Sequence, residues 1–192
     1  IKMKKIRIIL ASGSPRRKNL LEEAGFKVEV INNHVEEDFP DNLPVEEVAT
    51  FLAHKKAIGN LQNIPKDTFL LTADSTVIWN GRLLGKPENR AMAIDYLKQL
   101  SNQTHTVITG VCLIKNQKEK VFKAITKVTF GSLLDKEIDF YLDHYQPFDK
   151  AGSYGLQEWI GLCKIAKIEG THSNVMGLPI YEVYQNIMNW VD

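Results

Sequence analysis

Apolar positions in this chain recur at two spacings, and the switches between them mark out the elements. Ile6 to Ala11 is apolar on both faces apart from Arg7, the pattern of a buried strand. The polar turn Ser12-Gly13-Ser14 follows; Pro15 is placed to open a helix running to about Ala24, and Gly25 to stop it. Phe26 to Ile31 alternates as a second strand, and Asn32 to Pro44 reads as an acidic, proline-containing loop. From Val45 to Gly59 a helix is predicted, with Val45, Val48, Ala49 and Leu52 at helical spacing. Thr68 to Ala73 is another buried strand, and Val77 to Leu84 carries the Asn80-Gly81 signature of a hairpin. Glu88 to Leu100 predicts a helix, Val107 to Ile114 and Lys120 to Phe130 a second hairpin around Lys115-Asn116-Gln117, and Asp135 to Tyr145 a further helix. Cys163 to Ile168 reads as a strand and Pro179 to Trp190 as a closing helix. Helices alternating with strands and hairpins predict an α/β fold around a mixed sheet. No repeat, low-complexity stretch or linker divides the chain, so residues 1–192 are expected to form one domain.

Composition mainly excludes. A chain of 192 residues, 44% hydrophobic, is ample for a core and too apolar for disorder. Its 24 Lys+Arg against 23 Asp+Glu leave a formal charge of +1, too little to grip nucleic acid or an anionic membrane by bulk charge. No apolar run approaches the roughly 18 residues of a membrane span. Residues 1–5 carry lysines, but the apolar stretch Ile6 to Ala11 behind them is too short for a signal-peptide core. Cys112 and Cys163 both lie in apolar, strand-like contexts and read as buried free thiols, not as a disulfide or a zinc site. A cytoplasmic location is expected.

The candidate chemistry begins at Ser12-Gly13-Ser14-Pro15-Arg16-Arg17-Lys18. Ser14 is a natural N-cap, yet Arg17 stands where a capping box wants Glu or Gln, and three cations crowd a helix start that prefers anions. A bound polyphosphate would remove the conflict, since helix N–H groups, hydroxyls and guanidinium forks could converge on its oxygens; a solvated basic turn is the alternative. The segment lacks the glycines and the Lys-Ser/Thr ending of a Walker loop. Asp74 ends the apolar run Leu70 to Ala73, where a carboxylate can hold a divalent cation, take a proton from water, or merely cap the next turn. Lys56 continues the row Val45, Val48, Leu52 onto the core side of its helix, so it needs an anion or an escape route to water. Lys86, pinned between Gly85 and Pro87, is either a ligand-facing or a solvent-facing cation. Val35-Glu36-Glu37-Asp38 is acidic beside these cations, and Asp149 to Gln157 holds two glycines that suit either a close ligand approach or a tight turn. The histidines share no metal-ligand spacing.

Taken in order, Ser12-Gly-Ser-Pro-Arg-Arg17, Leu52-Ala53 with Lys56-Ala57, Ala73-Asp74, Gly85-Lys86-Pro87, Leu100-Ser101 before His105, Asp149-Lys-Ala-Gly-Ser-Tyr-Gly155 and Val175-Met-Gly-Leu-Pro179 closely resemble the Maf family of nucleoside triphosphate pyrophosphatases. The resemblance runs nearly end to end. It implies a two-lobed mixed-sheet α/β fold with an active-site cleft, like the inosine triphosphatase fold. It implies hydrolysis of a nucleoside triphosphate to the monophosphate and pyrophosphate with a divalent cation, Mg²⁺ or Mn²⁺, and allows a homodimer. By the same resemblance Asp74 is the proton acceptor. Lys56, Lys86, Arg16, Arg17 and Glu37 are active-site positions, with Glu36 one register away as an alternative to Glu37. Glu37 and Asp74 are the candidate metal ligands, and Ser12, Ser14, Arg16, Arg17, Ser75 and Gln157 the candidate substrate contacts.

Tyr154-Gly155-Leu156-Gln157 looks like the branch acting on dTTP and UTP, extending to modified pyrimidine nucleotides, rather than the 7-methyl-GTP branch. Two positions depart from the family pattern: Ser75 stands where threonine is usual, and Glu158 where glycine is common. Gln157 could pair with the N3–H and O4 edge of uracil or thymine, but its flipped amide would suit cytosine. Two rivals stay open: a regulatory module that binds the nucleotide without cleaving it, and an interaction protein of cell division or septum formation.

Overall fold

The computed structural model describes residues 6–62 and 64–191, so the lysine-bearing start at residues 1–5 lies outside the described residues. Seven strands form one mixed sheet: β1 (Arg7–Ala11), β2 (Lys27–Ile31), β3 (Phe69–Trp79), β4 (Arg82–Leu84), β5 (Thr104–Lys115), β6 (Lys118–Phe130) and β7 (Ile165–Glu169). Their order is β2-β1-β3-β5-β6-β7, with β4 paired to β3. β1 runs parallel to β2 and β3, whereas the β3–β4 and β6–β7 pairs are antiparallel. The helices are α1 (Pro15–Glu23), α2 (Val48–Gly59), α3 (Arg90–Leu100), α4 (Asp135–Tyr145), α5 (Trp159–Lys164), α6 (His172–Val175) and α7 (Ile180–Met188). The chain divides into two compact units, the first comprising Ile1–Ser75, Thr109–Ala124 and Gly177–Asp192, the second Thr76–Ile108 and Ile125–Met176.

In the first unit β1 is apolar on both faces because it separates two cores. Ile8 and Leu10 join Leu21 of α1, Val183 and Ile187 of α7, and Phe69 and Leu71 of β3. Ile9 and Ala11 face the other way, onto Leu70, Cys112 and Ala57 of α2. Gly110 of β5 lies so close to the α2 backbone that a Cβ there would strike the Ala49 carbonyl, and this tight seat sets where α2 presents its side chains. The second unit has one core, built from Val77, Leu84, Leu97, Leu100, Phe130, Ile138, Tyr141, Tyr154 and Ile160 among others. Its β3–β4 hairpin turns at Asn80 and Gly81, both at positive φ (48° and 72°), as the Asn-Gly pair demands.

Three expectations need correction. The strand expected to end at Ala73 continues through Asp74 to Trp79. The segment read as a strand from Cys163 begins instead as α5, and Cys163 is exposed while Cys112 is buried; a short apolar run cannot be assigned to helix or strand by periodicity alone. The helix expected from Val45 starts at Val48, after a turn. No described helix is long and apolar enough to cross a membrane.

Candidate active site

The site follows from where β1 stops. β1 pairs with β3 from Ile8↔Phe69 to Leu10↔Leu71, and then the chain leaves the sheet through Ser12, Gly13 and Ser14 into α1. β3 runs on past that point without β1, so Asp74 and Ser75 lie just beyond the carboxyl end of a parallel neighbour, the position where open α/β sheets hold ligands. The strand end that matters belongs to β1, which is why Asp74 can sit mid-strand and still mark the site. Asp74 is buried at 8% exposure.

Lys56 meets it from α2. Its ammonium donates to Asp74 Oδ1 at 2.5 Å and to Glu37 Oε1 at 2.7 Å, and the residue is only 4% exposed. The lysine therefore resolves its burial by pairing with two carboxylates, not by reaching water. Glu37, not Glu36, is the glutamate that bonds Lys56. The acidic loop is held in register against α2 by neighbouring contacts. Lys55 Nζ donates to Asp38 Oδ1 at 2.5 Å, Asn60 Nδ2 to Asn33 Oδ1 at 2.9 Å, and Val35 fills the space beside Gly59.

Arg17 turns inward from the first turn of α1. Nε donates to the Gly177 carbonyl at 2.8 Å, and Nη1 and Nη2 donate to the Ser12 and Ser75 hydroxyls, each at 3.2 Å. Ser75 is linked in turn to the Thr109 hydroxyl at 2.8 Å. Burial lowers the proton affinity of the guanidinium; Asp74 raises it, Arg16 lowers it further and Glu37 raises it. The crowded cations at this helix start thus divide their tasks: Arg17 is built into the site, while Lys18 pairs along the surface with Glu22 at 3.6 Å. Ser14 occupies the N-cap position without a side-chain cap bond, and its N–H donates instead to Ser12 Oγ at 3.2 Å.

The structure therefore gathers Ser12, Ser14, Arg17, Glu37, Lys56, Asp74 and Ser75 in the first unit, with Arg16 acting on Arg17 through its charge. Lys86 and Gln157 are exposed residues of the second unit, Lys86 just after β4 and Gln157 in a turn before α5. Reading the sequence missed Thr109, which carries no local signal, and the use of the Gly177 carbonyl, which lies 160 residues from Arg17. Among the described residues no three His, Cys, Asp or Glu side chains gather as a metal cage.

The model of the Maf-like protein family matches residues 7–190. The chain belongs to the Maf-like family. Relatives named dTTP/UTP pyrophosphatase match this Maf-like chain over nearly its whole length. The protein of Phocaeicola vulgatus is 46% identical over 96% of this chain and 96% of its own, and that of Bacteroides fragilis 47% over 94% of each. That of Flavobacterium psychrophilum is 45% identical over 98% of this chain and 96% of its own. Among solved structures, the Ham1 protein of Staphylococcus aureus overlaps 65% of this Maf-like chain and 71% of its own, at 17% identity and a TM-score of 0.42. That overlap is partial.

Proposed function

We propose that this chain hydrolyses dTTP and UTP, and modified pyrimidine counterparts, to the nucleoside monophosphate and pyrophosphate. The observation that carries the reaction is Lys56 held between Asp74 and Glu37 beside the inward-turned Arg17. The choice of dTTP and UTP follows from the names of the relatives, and the extension to modified pyrimidines from the family resemblance alone.

In this reading a water oxygen attacks the α-phosphorus and the bond from that phosphorus to the α–β bridging oxygen breaks, releasing pyrophosphate. Asp74 takes the water's proton. Its Oδ1 is engaged by Lys56, so Oδ2 is the atom we assign to the water. Arg17, Arg16 and Lys56 balance the charge of the phosphates, and the hydroxyls of Ser12, Ser14 and Ser75 offer further donors. Glu37 and Asp74 fit a Mg²⁺ or Mn²⁺ ion that draws the rest of its shell from water and phosphate oxygens, because such ions need only one or two protein carboxylates. When bound, that ion neutralises the phosphate oxygens. By resemblance, Lys86 offsets charge on the leaving pyrophosphate and Gln157 reads the pyrimidine edge.

The test is incubation with Mg²⁺ or Mn²⁺ and dTTP, UTP, CTP, 7-methyl-GTP, ATP and GTP, reading pyrophosphate against orthophosphate. Pyrophosphate from dTTP and UTP is the expected product. Orthophosphate would mean that a different bond breaks, and tight binding without any product would leave a nucleotide-binding module. For Gln157→Ala, pyrimidine preference should fall more than turnover; equal losses on every nucleotide would remove its base-reading role.

A further inference from the structure

The late glycine loop carries polar contacts that the proposed reaction does not use. Gly155-Leu156-Gln157-Glu158 is a β-turn closed by the Glu158 N–H donating to the Gly155 carbonyl at 3.1 Å, with Leu156 buried and Gln157 exposed at its third position. Both ends of this turn are fastened to one phenol. The Tyr141 hydroxyl accepts the Gly155 N–H at 3.0 Å and donates to Glu158 Oε2, while Glu158 Oε1 takes the Lys150 ammonium at 3.1 Å. Tyr141 is fully buried, and the Lys150 and Glu158 side chains are nearly so.

Three further features show how tightly the turn is held. Glu158 is the N-cap residue of α5, yet its carboxylate makes no cap bond and is spent on Tyr141 and Lys150. A Cβ on Gly155 would run into the Glu158 carboxylate, and one on Gly161 into the Leu156 carbonyl. The approach to the turn is strained at Ser153, whose φ is 62°, and such strain persists only where the surroundings over-determine it. Burial, helped by the Glu158 hydrogen bond, pushes the Tyr141 phenol upward, so it keeps the proton it donates.

We propose that Tyr141, Glu158 and Lys150 are positioning residues for Gln157, fixing the turn that carries it and so setting the preference for uracil and thymine over cytosine. This rests on the base-reading role of Gln157 proposed above. A glutamine amide suits uracil in one orientation and cytosine in the other. The amide can turn about its own terminal bond, so a second group must fix its sense; a turn tied at both ends holds Gln157 in the one place where that group can act on it, whereas a loose turn would not. Pre-organisation of this kind yields discrimination without any new contact to the ligand.

The experiment measures kcat/KM for UTP and CTP in the wild type, Tyr141→Phe, Gln157→Ala and the double variant. Tyr141→Phe is expected to lower the UTP-to-CTP ratio by about tenfold, the scale of one buried hydrogen bond, with KM for UTP rising more than kcat falls. In the Gln157→Ala background the same change should leave the ratio where it is, since two residues acting through one contact are not additive. Glu158→Gln, which keeps an acceptor for the phenol, should retain more of the ratio than Glu158→Ala, and this pair serves if Tyr141→Phe fails to fold. Equal losses on both nucleotides, or an undiminished effect in the Gln157→Ala background, would overturn the positioning role. A wild type that cleaves neither nucleotide would instead overturn the function reading and this inference with it.

Discussion

Each unit of this molecule buries a lysine against two carboxylates, and the two lysines are used differently. In the first unit Lys56 lies between Asp74, whose side chain is 12% exposed, and Glu37, at 51%. In the second, Lys150 lies between Glu158, at 14%, and Asp149, at 64%. The triads match in charge and burial; they differ in what the buried carboxylate does next. Glu158 is also bonded by Tyr141, which holds Gly155, so its capacity is used up in shaping a loop. Asp74, among the described residues, takes no side-chain hydrogen bond beyond Lys56, which leaves one oxygen for chemistry. Burial and ion pairing therefore do not by themselves distinguish a reactive carboxylate from an architectural one; unspent hydrogen-bonding capacity does.

The largest test of that contrast exchanges charge for neutrality at each buried carboxylate. Asp74→Asn should lower kcat by about 10²–10⁴-fold, the range of a lost general base, with the protein still folded. Glu158→Gln should leave most turnover in place and act on nucleotide preference. Steady-state rates on UTP and CTP for both variants, with circular dichroism as a fold control, decide it. A reversed pattern would mean that the two triads have been assigned to the wrong tasks.

Next in size is Lys56→Ala. It leaves Asp74 buried without its cation, which should destabilise the protein by about 3 kcal/mol, the low end for a broken buried pair because Glu37 is half exposed. Urea denaturation measures it, and a loss below about 0.5 kcal/mol would show that Asp74 is better solvated than its burial indicates.

Much of this was readable in the sequence. The continuous apolar run of β1, the Asn80-Gly81 hairpin and the helices α3 and α4 fell where the apolar pattern put them, because β1 is buried on both faces and each helix buries its own regular stripe. Lys56 was legible for the same reason: a cation on an apolar row has to find either an anion or a way out to water, and only the structure chose between them. Arg17 was legible as a broken helix-start rule, though its partners Gly177 and Ser75 were not, since only the tertiary fold brings them within reach. The second unit's triad was hidden more deeply. Tyr141 lies unmarked within the helical pattern of Asp135 to Tyr145, and Glu158 stood out only as a departure where glycine is common. Their hydrogen bond spans 17 residues and leaves no periodic trace.

A third test, smaller again, uses a group that is neutral where the triads are charged. His105 of the second unit is buried, with Nε2 at 2.7 Å from the Tyr154 hydroxyl, and burial pushes its pKa down to about 4. The folded state then binds fewer protons than the unfolded state between that value and about 6.5, so stability is full above this window and is lost as pH falls through it. From pH 7 to pH 5 the loss should be about 2 kcal/mol. Denaturation at the two pH values, in wild type and His105→Gln, checks it: the variant should show the shallower dependence, and equal slopes would rule out His105 as the cause.

The smallest effects compare two helix caps. Asn89, in the second unit, accepts the Met92 N–H of α3 at 3.0 Å through its side chain, so Asn89→Ala should cost about 1 kcal/mol, the ordinary value of a cap. Ser14 stands at the same position on α1 and makes no side-chain cap bond, so Ser14→Ala should cost only about a few tenths of that. Its effect should appear instead in a raised KM for UTP, because a hydroxyl left over at a helix start beside Arg17 is available to a phosphate oxygen. Thermal melts and KM values for both variants separate the two kinds of loss. If Ser14→Ala proves as destabilising as Asn89→Ala while KM stays unchanged, its hydroxyl is spent on the fold like Glu158, and Ser14 leaves the list of substrate contacts.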